Sequence, residues 1–275
     1  MTKDFSFISS INNRITITIY GYENLGIYPT IISVHGFKGF KDWGFWPFLG
    51  NYFAQRKYAV VTFNFSHNGI ENDMLEISNL EKFAANTFSL EIAELKEIIS
   101  ACSADYFGRK SKKIILIGHS RGGAGALLAA YNNPNVSAVI ALSSIAKLDR
   151  YTDRQKAEWR KIRTWEVVNS RTGQVLKLNI DLLEDIELNK NTSLNIENAV
   201  KSLNKPFLII HGTEDLTVPL EEAELLFNWS DKKITTFTKI ERSGHTFDIQ
   251  HPFTTSNTKF DKVLSEIGKF LIKLN

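Results

Sequence analysis

The 275-residue chain predicts an α/β fold with a mostly parallel central sheet of about eight strands flanked by helices. Three observations carry that reading. Short continuous apolar runs recur along the chain, as suits strands buried on both faces. Stretches with helical spacing separate them, which implies right-handed crossovers and parallel pairing. The first two strand-like stretches are joined by a short polar turn, which adds antiparallel strands at one edge.

In chain order, "FSFIS" pairs through the "SINN" turn with "RITITIY" (14–20), which alternates as a half-buried strand does. The apolar runs follow at 29–35, 58–65, 113–118, 136–143, 206–212 and 233–240. Helical spacing covers about 46–56, 86–102, 121–132, 220–228 and 258–274. In 86–102, for example, Leu90, Ala93, Leu95, Ile98 and Ile99 share one face. The rhythm breaks once, after the sixth strand, where 144–205 is polar and charged and carries Trp159 and Trp165. Connections that long are uncommon unless they serve a function. A helical lid is expected there, with a small hairpin at "VVNSRTGQVLKL", inserted into a single domain spanning 1–275.

Composition is that of an ordinary globular chain, 43% hydrophobic and 23% charged. A net charge of +3 without a block of like charge makes no case for nucleic acid. The single cysteine, Cys102, excludes an internal disulfide and reads as core filler. The first residues lack the apolar core and cleavage site of a signal peptide, and no apolar run is long enough to span a membrane. A cytoplasmic protein, monomer or homodimer, is the expectation.

The chemistry starts at "KKIILIGHSRGGAGALLAAY" (112–131), where Ser120 lies between Gly118 and Gly122 in the pattern G-x-S-x-G. At a strand-to-helix corner this pattern strains the serine backbone and exposes its hydroxyl above the sheet. The following helix turns its N–H groups toward it, which favours negative charge there. The pattern alone is weak; the strand before and the helix after give it weight.

A serine needs a base, and the base an orienting group. Of six histidines, His245 in "ERSGHTFD" sits in a polar loop beyond a strand, where parallel sheets place their chemistry. His251 is its rival; His35 and His211 read as loop hydrogen-bonders, and His119 should point away from the serine. "PFLIIHGTEDLTVP" offers Asp215 as the acid, with Glu214 second and Asp231 and Asp248 weaker. The order Ser120, Asp215, His245 is Ser–acid–His. The backbone N–H groups of Phe37, in the glycine turn "HGF", and of Arg121 are the candidate oxyanion donors. Phe40 and Trp43, beside that turn, and the lid residues Trp159 and Trp165 are candidate pocket walls, as is the Phe37 side chain. His67, in "FNFSHNG", could touch substrate, though a capped loop is the plainer reading. With no cysteine pair and no H-E-x-x-H pattern, neither a metal nor an organic cofactor is expected.

The motifs "HGF" (35–37), "GHSRGG" (118–123), "HGTEDLTVP" (211–219) and "SGHTF" (243–247) together resemble the α/β-hydrolase superfamily, in its order. Within it the chain is most similar to the cinnamoyl/feruloyl-esterase-like and acyl-peptidase-like branch. "GHSRGG" and "SGHTFD" also resemble dienelactone hydrolase, which uses cysteine where this chain has Ser120. A serine there disfavours dehalogenase and epoxide-hydrolase chemistry, which uses aspartate. The resemblance implies a serine esterase acting on small or aryl-containing carboxylic esters. Cleavage of aminoacyl or peptide amides, and a non-catalytic ligand-binding role, stay open as alternatives.

Overall fold

The computed structural model describes residues 1–71 and 76–274. The chain runs β1 (Thr2–Ile8), β2 (Arg14–Tyr20), β3 (Thr30–Val34), α1 (Trp46–Ala54), β4 (Ala59–Phe63), α2 (Leu80–Ala84), α3 (Phe88–Ser103) and β5 (Ile114–His119). It continues α4 (Arg121–Ala130), β6 (Val136–Leu142), α5 (Asp153–Ile162), β7 (Thr164–Val168), β8 (Val175–Asn179), α6 (Ile180–Asn189) and α7 (Ile196–Lys201). The last elements are β9 (Phe207–Gly212), α8 (Leu220–Trp229), β10 (Thr235–Ile240) and α9 (Thr258–Lys273).

Among the described residues, eight strands form one sheet in the order β1-β2-β4-β3-β5-β6-β9-β10. β1, β2 and β4 pair antiparallel at one edge, and every pairing from β4 to β10 is parallel. The continuous apolar runs have the cause inferred from them. All residues of β3, β4, β5 and β9 are buried, because helices cover both faces. Side-chain alternation divides them. Ile32, Val61 and Leu116 pack with α3 and α4 on one face. Ile31, Val60, Ile115 and Ile117 pack with α1 and α9 on the other.

Local chemistry sets the helix starts. Thr87 Oγ1 accepts the Leu90 N–H to cap α3, and Asn257 Oδ1 accepts the N–H groups of Lys259 and Phe260 to cap α9. Thr152 and Gln155 close a capping box on α5.

The 144–205 connection contains α5, the antiparallel β7–β8 hairpin, α6 and α7. Its apolar side chains, among them Leu176, Leu183 and Ile186, join the core on the α3/α4 face. Asp185 of α6 accepts from the backbone N–H of Ser89 at 2.9 Å, tying the insert to the start of α3. The hairpin, expected over 167–178, extends a few residues beyond that span at its N-terminal end. Parallel register places the exits of β3, β5, β9 and β10 on one rim of the sheet, where such folds assemble their sites.

Candidate active site

Ser120 joins β5 to α4 with φ 57° and ψ −123°, a conformation that L-residues rarely adopt. The flanking glycines explain how the chain reaches it. A Cβ on Gly122 would lie 2.2 Å from the Val34 carbonyl oxygen, and one on Gly118 would lie 2.2 Å from the Gly122 carbonyl oxygen. The β3 exit and the β5–α4 corner therefore touch backbone to backbone, with no room for a side chain.

The same device joins the acid and histidine loops. A Cβ on Gly212 would lie 2.3 Å from the Ser243 carbonyl oxygen. Across that contact, His245 Nδ1 donates to Asp215 Oδ2 at 2.8 Å. Asp215 Oδ1 accepts the backbone N–H groups of Thr217 and Val218, both at 2.9 Å. His211, fully buried, places Nε2 2.8 Å from the Val218 carbonyl oxygen and 3.3 Å from Asp215 Oδ2. Burial works to raise the Asp215 carboxyl, but the hydrogen bonds from His211 and His245 outweigh it. The carboxyl is held well below the usual carboxylate range. The pair is thus an ionised acceptor fixing one nitrogen of an imidazole, with Nε2 of His245 unpartnered among the described residues.

Ser120 and His245 line one cavity of about 710 Å³ at the sheet rim, together with Phe37 and Arg121. Among the described residues no hydrogen bond joins Ser120 Oγ to His245, so the shared cavity is what brings them together. Catalytic hydrogen bonds are often long before substrate binds. The backbone N–H groups of Phe37 and Arg121 likewise have no protein acceptor among the described residues. That leaves them able to bind an anion between β3 and the α4 N-terminus.

The competing carboxylates separate cleanly. Glu214 is exposed, whereas Asp215 is 6% exposed and faces His245. Asp248 accepts from the Gly244 N–H at 3.0 Å and pairs with Lys259. Asp231 accepts the Lys233 N–H at 2.9 Å, a turn of its own. His251 Nδ1 accepts from the Gly44 N–H at 3.0 Å and also borders the cavity. His35 Nε2 accepts from the Phe65 N–H at 3.3 Å, and burial pushes its ring down to about 4. His67 Nδ1 lies 2.7 Å from Ser66 Oγ in its own loop, outside the cavity wall.

The proposed pocket residues divide. Trp43 lines the cavity, as does Phe37. Three do not. Phe40 is buried in the α1/α9 core, with its ring 5.1 Å from that of His251. Trp159 is fully buried, the one buried residue of α5; its ring lies 5.0 Å from Tyr151 and 6.2 Å from Trp165. Trp165 packs against the core on the α3/α4 face and is likewise absent from the wall. The insert reaches the cavity instead through its hairpin tip, Asn169, Ser170 and Arg171, and through Leu148 and Tyr151. The turn-rich letters "NSRTG" marked the hairpin but carried no sign of where its tip would rest.

His119 is a second finding beyond the sequence. It lines the cavity, and its Nε2 lies 2.9 Å from the His245 carbonyl oxygen. Its ring lies 4.7 Å from that of His245 and stacks on Trp43 at 6.4 Å. Burial and then the neighbouring His245 push its ring down to about 3, so it stays neutral and donates to that carbonyl. Arg121 is buried, paired through Nε with Glu91 Oε2 at 2.9 Å and stacked on Phe88 at 3.9 Å.

No helix among the described residues is long and apolar enough to cross a membrane. The BD-FAE family model matches residues 19–230 of the chain. A Mycoplasma genitalium protein whose name assigns it to the esterases and lipases is 25% identical over 262 residues, covering 86% of this chain and 90% of that protein. Among solved structures, Est1E from Butyrivibrio proteoclasticus with bound ferulic acid aligns with a TM-score of 0.74 at 18% identity, covering 98% of each chain. The alpha/beta hydrolase GrgF from Penicillium sp. sh18 aligns with a TM-score of 0.73 at 15% identity, covering 99% of this chain and 98% of that one. These likenesses establish the α/β-hydrolase fold.

Proposed function

The chain belongs to the BD-FAE family, and on that premise we propose that it is a carboxylic ester hydrolase working through Ser120, His245 and Asp215. Its esterase-named relative supports the reaction class. The observation that carries the residue roles is the 2.8 Å bond from His245 Nδ1 to Asp215 inside the cavity wall that also holds Ser120.

Ser120 Oγ attacks the ester carbonyl carbon while its proton passes to His245 Nε2. Asp215 holds the imidazole in the tautomer with hydrogen on Nδ1 and stabilises the imidazolium that results. The carbonyl oxygen, now negative, takes the N–H groups of Phe37 and Arg121. His245 returns the proton to the departing alcohol, leaving an acyl group on Ser120. Water, deprotonated by the same nitrogen, then releases the acid and regenerates the serine.

Small acyl groups and aryl or cinnamoyl acyl groups are the expected substrates. The ferulic acid in the Est1E structure supports that class. So does a cavity bordered by Phe37, Trp43, Trp46 and Phe88. The 144–205 insert serves as a cap, its hairpin tip forming part of the wall.

A fluorophosphonate probe should label wild-type protein at Ser120 and leave Ser120→Ala unlabelled. Turnover of p-nitrophenyl esters should fall by about 10⁴-fold or more in that variant. Wild-type turnover retained by Ser120→Ala would overturn the assignment. An anilide hydrolysed faster than the matching ester would shift the reading to amide cleavage.

A further inference from the structure

The cavity wall is unbalanced in charge. Among the described residues it contains Lys38, Arg121, Arg150 and Arg171, and no aspartate or glutamate. Two of these cations have partners just behind the wall: Arg150 pairs with Glu222 and Arg121 with Glu91. Even so, the second terminal nitrogen of Arg121, Nη2, is buried without a hydrogen-bond partner among the described residues.

Lys38 and Arg171 have no carboxylate partner among the described residues. They meet where the hairpin tip rests on the turn that holds Phe37. Lys38 Nζ donates to the Val168 carbonyl oxygen at 3.1 Å, and an Arg171 terminal nitrogen donates to the Lys38 carbonyl oxygen. The Arg171 guanidinium also lies 5.5 Å from the Trp43 ring. Carbonyl oxygens satisfy donors but do not neutralise charge. Burial and then the Arg171 charge hold the Lys38 ammonium below its usual range, so the two cations feel each other. An anion seated between them would relieve that repulsion and gain two charge-assisted hydrogen bonds.

We infer that the preferred substrate is an ester carrying a second, ionised acidic group, recognised by Lys38 and Arg171 at the cavity rim and by Arg121 deeper in. This rests on the ester-hydrolase reading above and adds the charge of the substrate to it. The plainer role for the same contacts is to pin the hairpin to the loop. That role predicts no dependence on substrate charge, which makes the two separable.

The test uses two ester pairs matched in shape and differing in charge. One is 4-acetoxybenzoate against its methyl ester, with the charge on the alcohol side. The other is the 4-nitrophenyl monoester of glutarate against 4-nitrophenyl pentanoate, with the charge on the acyl side. Each kcat/KM is divided by the rate of hydroxide hydrolysis of the same ester. The wild-type protein should favour the anionic member of at least one pair by about tenfold at low salt. That preference should shrink at high salt, where the charges are screened. Arg171→Gln and Lys38→Gln, which remove each charge without adding its opposite, should each reduce the preference several-fold; a purely structural role would leave the anionic-to-neutral ratio unchanged.

Equal or faster hydrolysis of the neutral member in both pairs by the wild-type protein overturns the inference and leaves the esterase reading standing. A preference that survives high salt or both substitutions overturns the assignment to Lys38 and Arg171. Failure to hydrolyse any of the four esters overturns the esterase reading and the inference with it. The wild-type salt comparison needs no variant, so a misfolded substitution does not blunt the test.

Discussion

Asp215 and His245, thirty residues apart in sequence, share a 2.8 Å hydrogen bond from Nδ1 to Oδ2. The other oxygen of Asp215 is taken by two backbone N–H groups, so the carboxylate has no freedom to turn away. The bond joins a loop that follows β9 to a loop that follows β10, neighbouring parallel strands.

Asp215→Asn should keep the fold and lose the reaction. The amide can accept the same backbone hydrogen bonds, but it cannot stabilise the imidazolium. It also permits the tautomer with hydrogen on Nε2, which cannot take the serine proton. The kcat for a p-nitrophenyl ester should fall by about 10³–10⁴-fold with far-UV circular dichroism unchanged. A loss below tenfold would remove Asp215 from the proposed role.

Gly122→Ala tests the corner that sets Ser120. The new methyl group would meet the Val34 carbonyl oxygen at 2.2 Å, and backbone on both sides leaves it nowhere to go. Destabilisation of about 1–3 kcal/mol or more is expected in urea unfolding, with esterase activity lost. Gly125→Ala, whose Cβ would meet nothing within 4 Å, is the matched control and should be neutral or stabilising.

The Arg121–Glu91 pair separates side chain from backbone at one residue. Arg121→Met leaves its N–H in place but takes the cation from the Glu91 carboxylate, whose side chain is 12% exposed and whose other oxygen keeps the Asn86 amide at 2.7 Å. Stability should fall by about 3–5 kcal/mol, and the Arg121→Met/Glu91→Met double variant should recover much of it. If the double variant is as unstable as the single one, packing against Phe88 rather than charge carries the effect.

Acid should destabilise the protein partly through His119. In the unfolded chain an imidazole titrates near about 6.5. In the folded chain burial holds His119 down to about 3. Between those values the unfolded state binds a proton that the folded state does not. The contribution is therefore fully present above the unfolded value and is lost as pH falls toward the folded one. His119→Gln, which keeps a donor for the His245 carbonyl, should flatten the unfolding free energy below pH ~6.5 by up to about 1.4 kcal/mol per pH unit. Parallel wild-type and variant profiles across that window would refute the assignment.

What the sequence determined by itself rests on short-range patterns. Continuous apolar runs specified the parallel sheet, because a strand buried on both faces must be apolar throughout. G-x-S-x-G marked the corner at Ser120, because a close backbone approach excludes every side chain there. The same kind of reasoning singled out Asp215 and His245 as loop residues beyond strands. The tertiary structure decided which of two adjacent acids turns inward, since Glu214 and Asp215 differ by the direction of one side chain at a strand exit. It also sent Trp159 into the core, brought the Arg171 hairpin tip onto Lys38, and set His119 against His245. None of these follows from local spacing. Each depends on how loops far apart in sequence settle against one another once the sheet has fixed their ends, and side-chain packing at that rim has no signature in the order of the letters.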